Sequence, residues 1–377
     1  MEQALNGERL TDLRDLLSLS QTALADRLRV KQAFISMVES GARTIPESLA
    51  ADAVAAFGLP SSFFLVPTTL RDTAPVTFRK KSAASVRDER RIIKKHQEAA
   101  RLFATVSKAS GYRESRLPDP NCFNGDTLLL AESVREIDGL SIDEPIPNVT
   151  RLLERLGVGV LKHLEPGIAD DKDHVSMSRP ADGDERPLVA IVASCPGDMV
   201  RLSLAHELGH LIFDRNRAKP IPSTRSPEEK RAYDFASALL VPDVVMRNSV
   251  GESLTLHGYL PLKAKYGISV AALIMRARRM GLISEERARS LHIQRSSQGW
   301  RRHEPVQVKG EKTSLLEQCY ARAFPNQSNP QVSEATGIMV SLLDEWLPET
   351  SVSETVFSLA AWREKRSGPP SEPSRIM

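Results

Sequence analysis

"LAHELGHLIF" (residues 204–213) sets two histidines and a glutamate into an otherwise apolar run. Val200, Leu204, Leu208, Leu211 and Ile212 recur at helical spacing around it, interrupted by Gly209 and by the polar triple His206, Glu207 and His210. Burying imidazoles and a carboxylate among such neighbours is unfavourable unless something satisfies them. Spaced i and i+4 on a helix, His206 and His210 project from one face, so both rings can reach a single Zn²⁺ at about 2.0–2.1 Å. Glu207 stands beside them, placed to accept a proton from water polarised by that metal. Gly209, which costs a helix about 1 kcal/mol, is expected to clear space for a substrate. The preceding run "PLVAIVAS" (187–194) reads as a strand, and a metal helix directly after a strand is the expectation here.

Catalytic zinc takes a third protein ligand and leaves one position for water. Downstream lies "STRSPEEKRAYDFASALLVP" (223–242). Ser226 suits a helix N-cap and Pro227 the first helical position. Ala232, Phe235, Ala236, Leu239 and Leu240 then form an inward stripe that stops at Pro242. Glu228 and Glu229 both lie near the edges of that stripe, so helical phase does not choose between them. Glu229 is also an ordinary capping-box partner for Ser226.

"LAHELGHLIF" followed by E-x-x-A-x-x-F-A-x-x-L-L-x-P resembles the ImmA/IrrE family of bacterial metallopeptidases. The likeness runs from about 150 to 292 and includes "YGISVAALIMRARRMGLIS" (266–284). It implies a compact zincin-like α+β fold with a small sheet, whose edge strand holds an extended substrate segment. It also implies Glu229 as the third zinc ligand. Tyr233 stands where that family usually has Asn or Asp. Relatives of this kind cleave, or relieve repression by, helix-turn-helix repressors in stress responses and mobile-element control.

The amino-terminal stretch "SQTALADRLRVKQAFISMVESGARTIP" (20–46) carries apolar residues at Leu24, Ala25, Leu28, Val30, Ile35 and Val38. That pattern predicts two short helices joined by a tight turn near Arg29–Val30. Gln21 and Gln32 open those helices, where a helix-turn-helix meets phosphates and base edges. Over about 55 residues the stretch resembles the Cro/repressor (XRE-type) family. The resemblance implies that Gln32, Ala33, Ser36 and Met37 face the major groove and that Gln21 and Arg43 face phosphates. Residues 1–70 hold six Lys/Arg against eight Asp/Glu, a poor balance for neutralising phosphate. A homodimer, or the basic stretch 79–116 lying along the duplex, would compensate.

The chain of 377 residues is long enough for two or three domains, and its 41% hydrophobic and 26% charged content is that of a globular protein. The expected division is 1–66 helix-turn-helix, 67–89 linker, 90–295 metallopeptidase, 296–363 helical region and 364–377 disordered tail. In fold-class terms this is α+β: an all-α amino-terminal domain, a mixed zincin-like domain with strands in 157–164, 173–179 and 187–194, then one or two further helices. Three scattered cysteines, Cys122, Cys195 and Cys319, suggest no disulfide framework or cysteine-rich zinc site. No membrane span or signal peptide is read, so a cytoplasmic location is expected. His163, His174, His257, Tyr233 and Tyr259 are further candidates for stabilising an oxyanion. His303–Glu304 is a second His-Glu pair, without a partner at ligand spacing.

These features point to a zinc-dependent endopeptidase fused to a DNA-binding module, with a repressor as its protein substrate. The alternative is a transcriptional regulator whose zinc domain senses a ligand or only shapes the protein.

Overall fold

The structure is a computed structural model that describes residues 4–67, 77–80, 86–111, 115–165, 174–179, 186–215, 221 and 225–347. The carboxy-terminal tail expected to be disordered lies outside the described residues.

The amino-terminal unit is built of α1 (Arg9–Leu16), α2 (Gln21–Arg27), α3 (Gln32–Glu39) and α4 (Glu47–Phe57). Ser20 caps α2 by accepting the backbone N–H of Ala23 at 3.1 Å. Leu24, Ala25, Leu28, Ile35 and Val38 are buried, as their spacing predicts. Arg29 takes φ +54°, so an exposed arginine supplies the left-handed residue of the tight turn.

Strand β1 (Thr77–Lys80) falls inside the stretch expected to be a linker. The long helix α5 (Val86–Ser110) follows it and buries Ile92, Ala99, Leu102, Phe103 and Val106 at helical spacing. Next come α6 (Thr127–Ile137), α7 (Val149–Arg155), β2 (Gly159–Leu161), β3 (His174–Arg179), β4 (Leu188–Ile191), α8 (Gly197–Phe213) and α9 (Pro227–Leu240). Then follow α10 (Asp243–Ser249), α11 (Leu260–Tyr266), α12 (Val270–Arg279) and α13 (Glu285–Ser297). The described chain ends with α14 (Leu315–Ala323), α15 (Asn329–Thr336) and α16 (Val340–Trp346), three helices where one or two were expected.

Four strands pair in the order β1-β3-β4-β2, antiparallel except for β2 with β4. The alternation of a pleated strand gives this sheet two working faces. Val189 and Ile191 join the core of α6–α9 and α12, whereas Leu188, Ala190 and Met177 join a second core. That second core is shared by the amino-terminal helices, α5 and α14–α16. The carboxy-terminal helices are therefore a wall of the amino-terminal unit.

Polar contacts fix the same arrangement. Arg9 donates to Glu98 of α5 at 2.6 Å, to Asp12 at 2.7 Å and to the Phe63 carbonyl at 3.2 Å. The Ser61 and Ser62 hydroxyls donate to Glu334 at 2.7 and 2.6 Å. Glu304 of the second His-Glu pair accepts the first N–H groups of α12, at Val270 and Ala271. Glu311 accepts those of Val149 and Thr150 in α7, and Glu154 those of Ser314 and Leu315 at α14. These carboxylates satisfy orphan helix donors.

Candidate metal centre

Helix α8 is buried on nearly every side, with the sheet, α7 and α9 packed around it. Its glycine decides where α9 lies. A Cβ at Gly209 would stand 3.1 Å from the Ala232 Cα and from a Phe235 ring carbon. The space cleared by Gly209 is therefore taken by α9, not by a substrate, which corrects the expectation drawn from its position. Close contact at Gly209 and Ala232 carries Glu229, one turn earlier on α9, to His206, one turn before Gly209 on α8, and to His210, the residue after it.

His206 Nε2 and His210 Nε2 lie 3.1 Å apart. Glu229 Oε2 is 3.2 Å from His206 Nε2, and Oε1 is 3.5 Å from His210 Nε2. Donors about 2.05 Å from a common ion at tetrahedral angles would be separated by about 3.3 Å, so the three groups fit a zinc-sized ion. Among the described residues, His206, His210 and Glu229 form the one cluster of this kind. Glu228 stands outside it, half-buried. The Glu229 backbone N–H donates to Ser226 Oγ at 3.3 Å, so the cap uses the main chain and leaves the carboxylate to meet the two histidines.

Burial alone would push the Glu229 carboxyl up, but hydrogen bonds from both histidines hold it well below the usual carboxylate range. Burial would likewise lower His210. Hydrogen bonds to Asp214 and Glu229, with the charges of Glu207 and Glu229, outweigh it and raise His210 to about 9. A divalent cation bound by these groups requires neutral imidazoles and an ionised carboxylate, so its binding would release protons.

Two flanking interactions escaped the sequence reading. Asp214 Oδ2 lies 2.7 Å from His210 Nδ1, and its other oxygen accepts from Arg231 at 2.6 Å. A carboxylate on Nδ1 fixes the tautomer in which Nε2 offers its lone pair. The signal was local, since Asp214 is i+4 from His210. Glu207 is fully buried, and its two oxygens accept from Ser176 Oγ at 2.7 Å and Ser178 Oγ at 2.5 Å. Residues i and i+2 of β3 share a face of the sheet, so the pair forms a two-point clamp.

The remaining candidates are not members of this cluster among the described residues. Tyr259 is buried, with its phenol pushed up by burial to about 12. His257 meets the Trp300 ring edge-on, and Arg279 lies over the Tyr233 ring. His163 is exposed at the end of β2, and the His174 side chain lies outside the described residues.

On the amino-terminal unit, Gln32, Ala33 and Met37 are exposed on α3, and Ser36 is half-buried. Gln32 Nε2 donates to Gln21 Oε1 at 2.6 Å, and Gln21 Nε2 to Glu39 at 2.7 Å. Arg43 lies over the Phe34 ring. No described helix is long and apolar enough to cross a membrane.

By sequence, residues 154–278 match the IrrE N-terminal-like domain of peptidase family M78, and residues 10–64 match a helix-turn-helix domain. No curated protein shows a significant match to the chain. A DNA-binding helix-turn-helix of the XRE type and a metallopeptidase-like domain of the ImmA/IrrE type are thus joined in one polypeptide.

Proposed function

We propose that this protein is a zinc-dependent endopeptidase of the cytoplasm, acting on a helix-turn-helix repressor. His206, His210 and Glu229 are the metal ligands in this reading. The observation that carries it is the triangle of donor atoms at 3.1–3.5 Å, beside a carboxylate that belongs to none of its corners. Zinc held there supplies Lewis acidity toward a peptide carbonyl and brings the pKa of water down toward about 7. Glu207 takes the proton of the attacking water on a carboxylate oxygen and passes it to the leaving amine nitrogen. Each of its oxygens accepts one serine hydroxyl and has a second lone pair, so the clamp orients the carboxylate without saturating it. Strand β1 covers the outer edge of β3, so a substrate segment adding to β3 has to displace it. The shared chain brings the site to wherever the DNA-binding module finds a repressor on its operator.

The test is cleavage of candidate repressors by zinc-loaded protein, with and without chelator. Glu207→Gln should keep zinc and DNA binding and lose cleavage. No cleavage product from any repressor bound at shared operators would defeat the reading.

A second reading is a regulator whose metal domain senses or stabilises without catalysis. The complete burial of Glu207 under two serines favours it. It predicts that Glu207→Gln leaves the regulatory output in cells unchanged while removal of the metal abolishes it.

A further inference from the structure

The helix-turn-helix unit is acidic, with six basic and eight acidic residues over 1–66. A duplex needs cations along its backbone, and the question is where they stand. Most basic residues of α5 are committed internally. Arg91 pairs with Glu165 at 3.2 Å, Lys94 with Asp12 at 2.6 Å and Lys95 with Glu345 at 2.8 Å, while Arg101 pairs with Glu98. Arg87 and Arg90, in the first two turns of the helix, are exposed at its surface. They line a cleft whose opposite wall carries Arg14, Gln21, Thr22 and Gln32, and in which Asp15 is the one acidic lining residue. The acidic unit thus gains a locally positive edge from outside itself, beside the glutamines that open α2 and α3.

This edge is rigidly placed. The Arg9–Glu98 and Lys94–Asp12 pairs and the shared apolar core fix α5 against α1, so the two arginines stay in register with α3.

We propose that a duplex engaged by α3 is also gripped by the amino-terminal end of α5, with Arg87 and Arg90 contacting phosphates across the cleft. The proposal rests on the DNA-binding reading of the module. It assigns the two arginines to sequence-independent backbone contact, with base readout left to the outer face of α3.

The experiment uses the full chain, its Arg87→Gln/Arg90→Gln double variant, and an Arg289→Gln control at an exposed position of α13. Affinity for a mixed-sequence duplex several turns long is measured across salt, from about 50 to 200 mM. The expected result is a slope of log affinity against log salt flatter by about 1.8 in the double variant, about 0.9 per phosphate contact, with no change in the control. An unchanged slope in the double variant overturns the proposal, as does an equal flattening in the control. A double variant that keeps its slope but alters the sedimentation coefficient assigns the cleft to contact between protein chains, and also overturns it. Failure of the wild type to bind any duplex would instead sink the DNA-binding reading itself.

Discussion

Gly209 and Ala232 meet backbone to backbone: a methyl group added at Gly209 would stand 3.1 Å from the Ala232 Cα. That contact lets a carboxylate on α9 reach two imidazoles on α8. Gly209→Ala is helix-favouring by about 1 kcal/mol taken alone. Overpacking against α9 costs about 1–3 kcal/mol, so a net loss of stability is expected. Because α9 has to shift, zinc affinity should weaken by tenfold or more, read by competition with a chromophoric chelator. Unaltered affinity would mean that α8 and α9 need not approach so closely for the site to form.

Glu228 and Glu229 are neighbours with different fates, one half-buried and the other facing the histidines. Glu229→Ala should abolish stoichiometric zinc, measured by elemental analysis of dialysed protein, while Glu228→Ala retains it. The reverse outcome would remove the proposed ligand set.

Asp214 acts on the site through His210. Its replacement by Asn or Ala should lower zinc affinity by about 10- to 100-fold without changing stoichiometry at saturating metal. Metal binding indifferent to this change would leave the 2.7 Å contact with no role beyond packing.

How much of this was legible in the chain follows from how local each relation is. His206 and His210 lie on one helix, and their i, i+4 spacing sets their geometry whatever surrounds them. Asp214 obeys the same rule and was equally accessible. The choice between Glu228 and Glu229 is not local, because it depends on the depth at which α9 packs, set by Gly209. Ser176 and Ser178 sit some thirty residues before Glu207 on a strand whose register comes from pairing with β4. Strand β1 was hidden for a related reason: a polar, basic segment acquires strand geometry only through its partner β3. The amino-terminal helices were readable from Ser20, Gln21 and the apolar spacing. Their union with α5 and α14–α16 in one core was not, since it joins residues some three hundred positions apart.

That union has an acid-sensitive fastening. Burial would raise the Glu98 carboxyl, but Arg101 and Arg9 together bring it down to about 2. The unfolded chain takes up this proton near pH 4.5 and the folded one only near 2, so the contribution is complete above about 4.5 and lost as pH falls through 2. A shift of that size corresponds to about 3 kcal/mol. Glu98→Gln should lower the urea midpoint at pH 7 and flatten the decline in stability between pH 4.5 and 2. An unchanged pH dependence would show that the Arg9–Glu98 contact is not among the groups that govern acid unfolding.

The serine clamp on Glu207 separates orientation from metal binding. Ser176 and Ser178 contact a carboxylate that is not a proposed zinc ligand, so the Ser176→Ala/Ser178→Ala variant should bind zinc as the wild type does. The carboxylate that it frees can rotate about its side-chain torsions, and a proton acceptor misplaced by about 1 Å costs on the order of 10²-fold in rate. With a cleaved repressor in hand, kcat should fall by roughly that factor while KM stays within about twofold, since the serines touch the base and not the substrate. Threonine at both positions restores the hydroxyls and should recover much of the loss. If the double alanine variant cleaves at the wild-type rate, Glu207 needs no clamp to act. If it loses zinc in step with rate, the serines belong to the scaffold of the metal site, not to the proton acceptor.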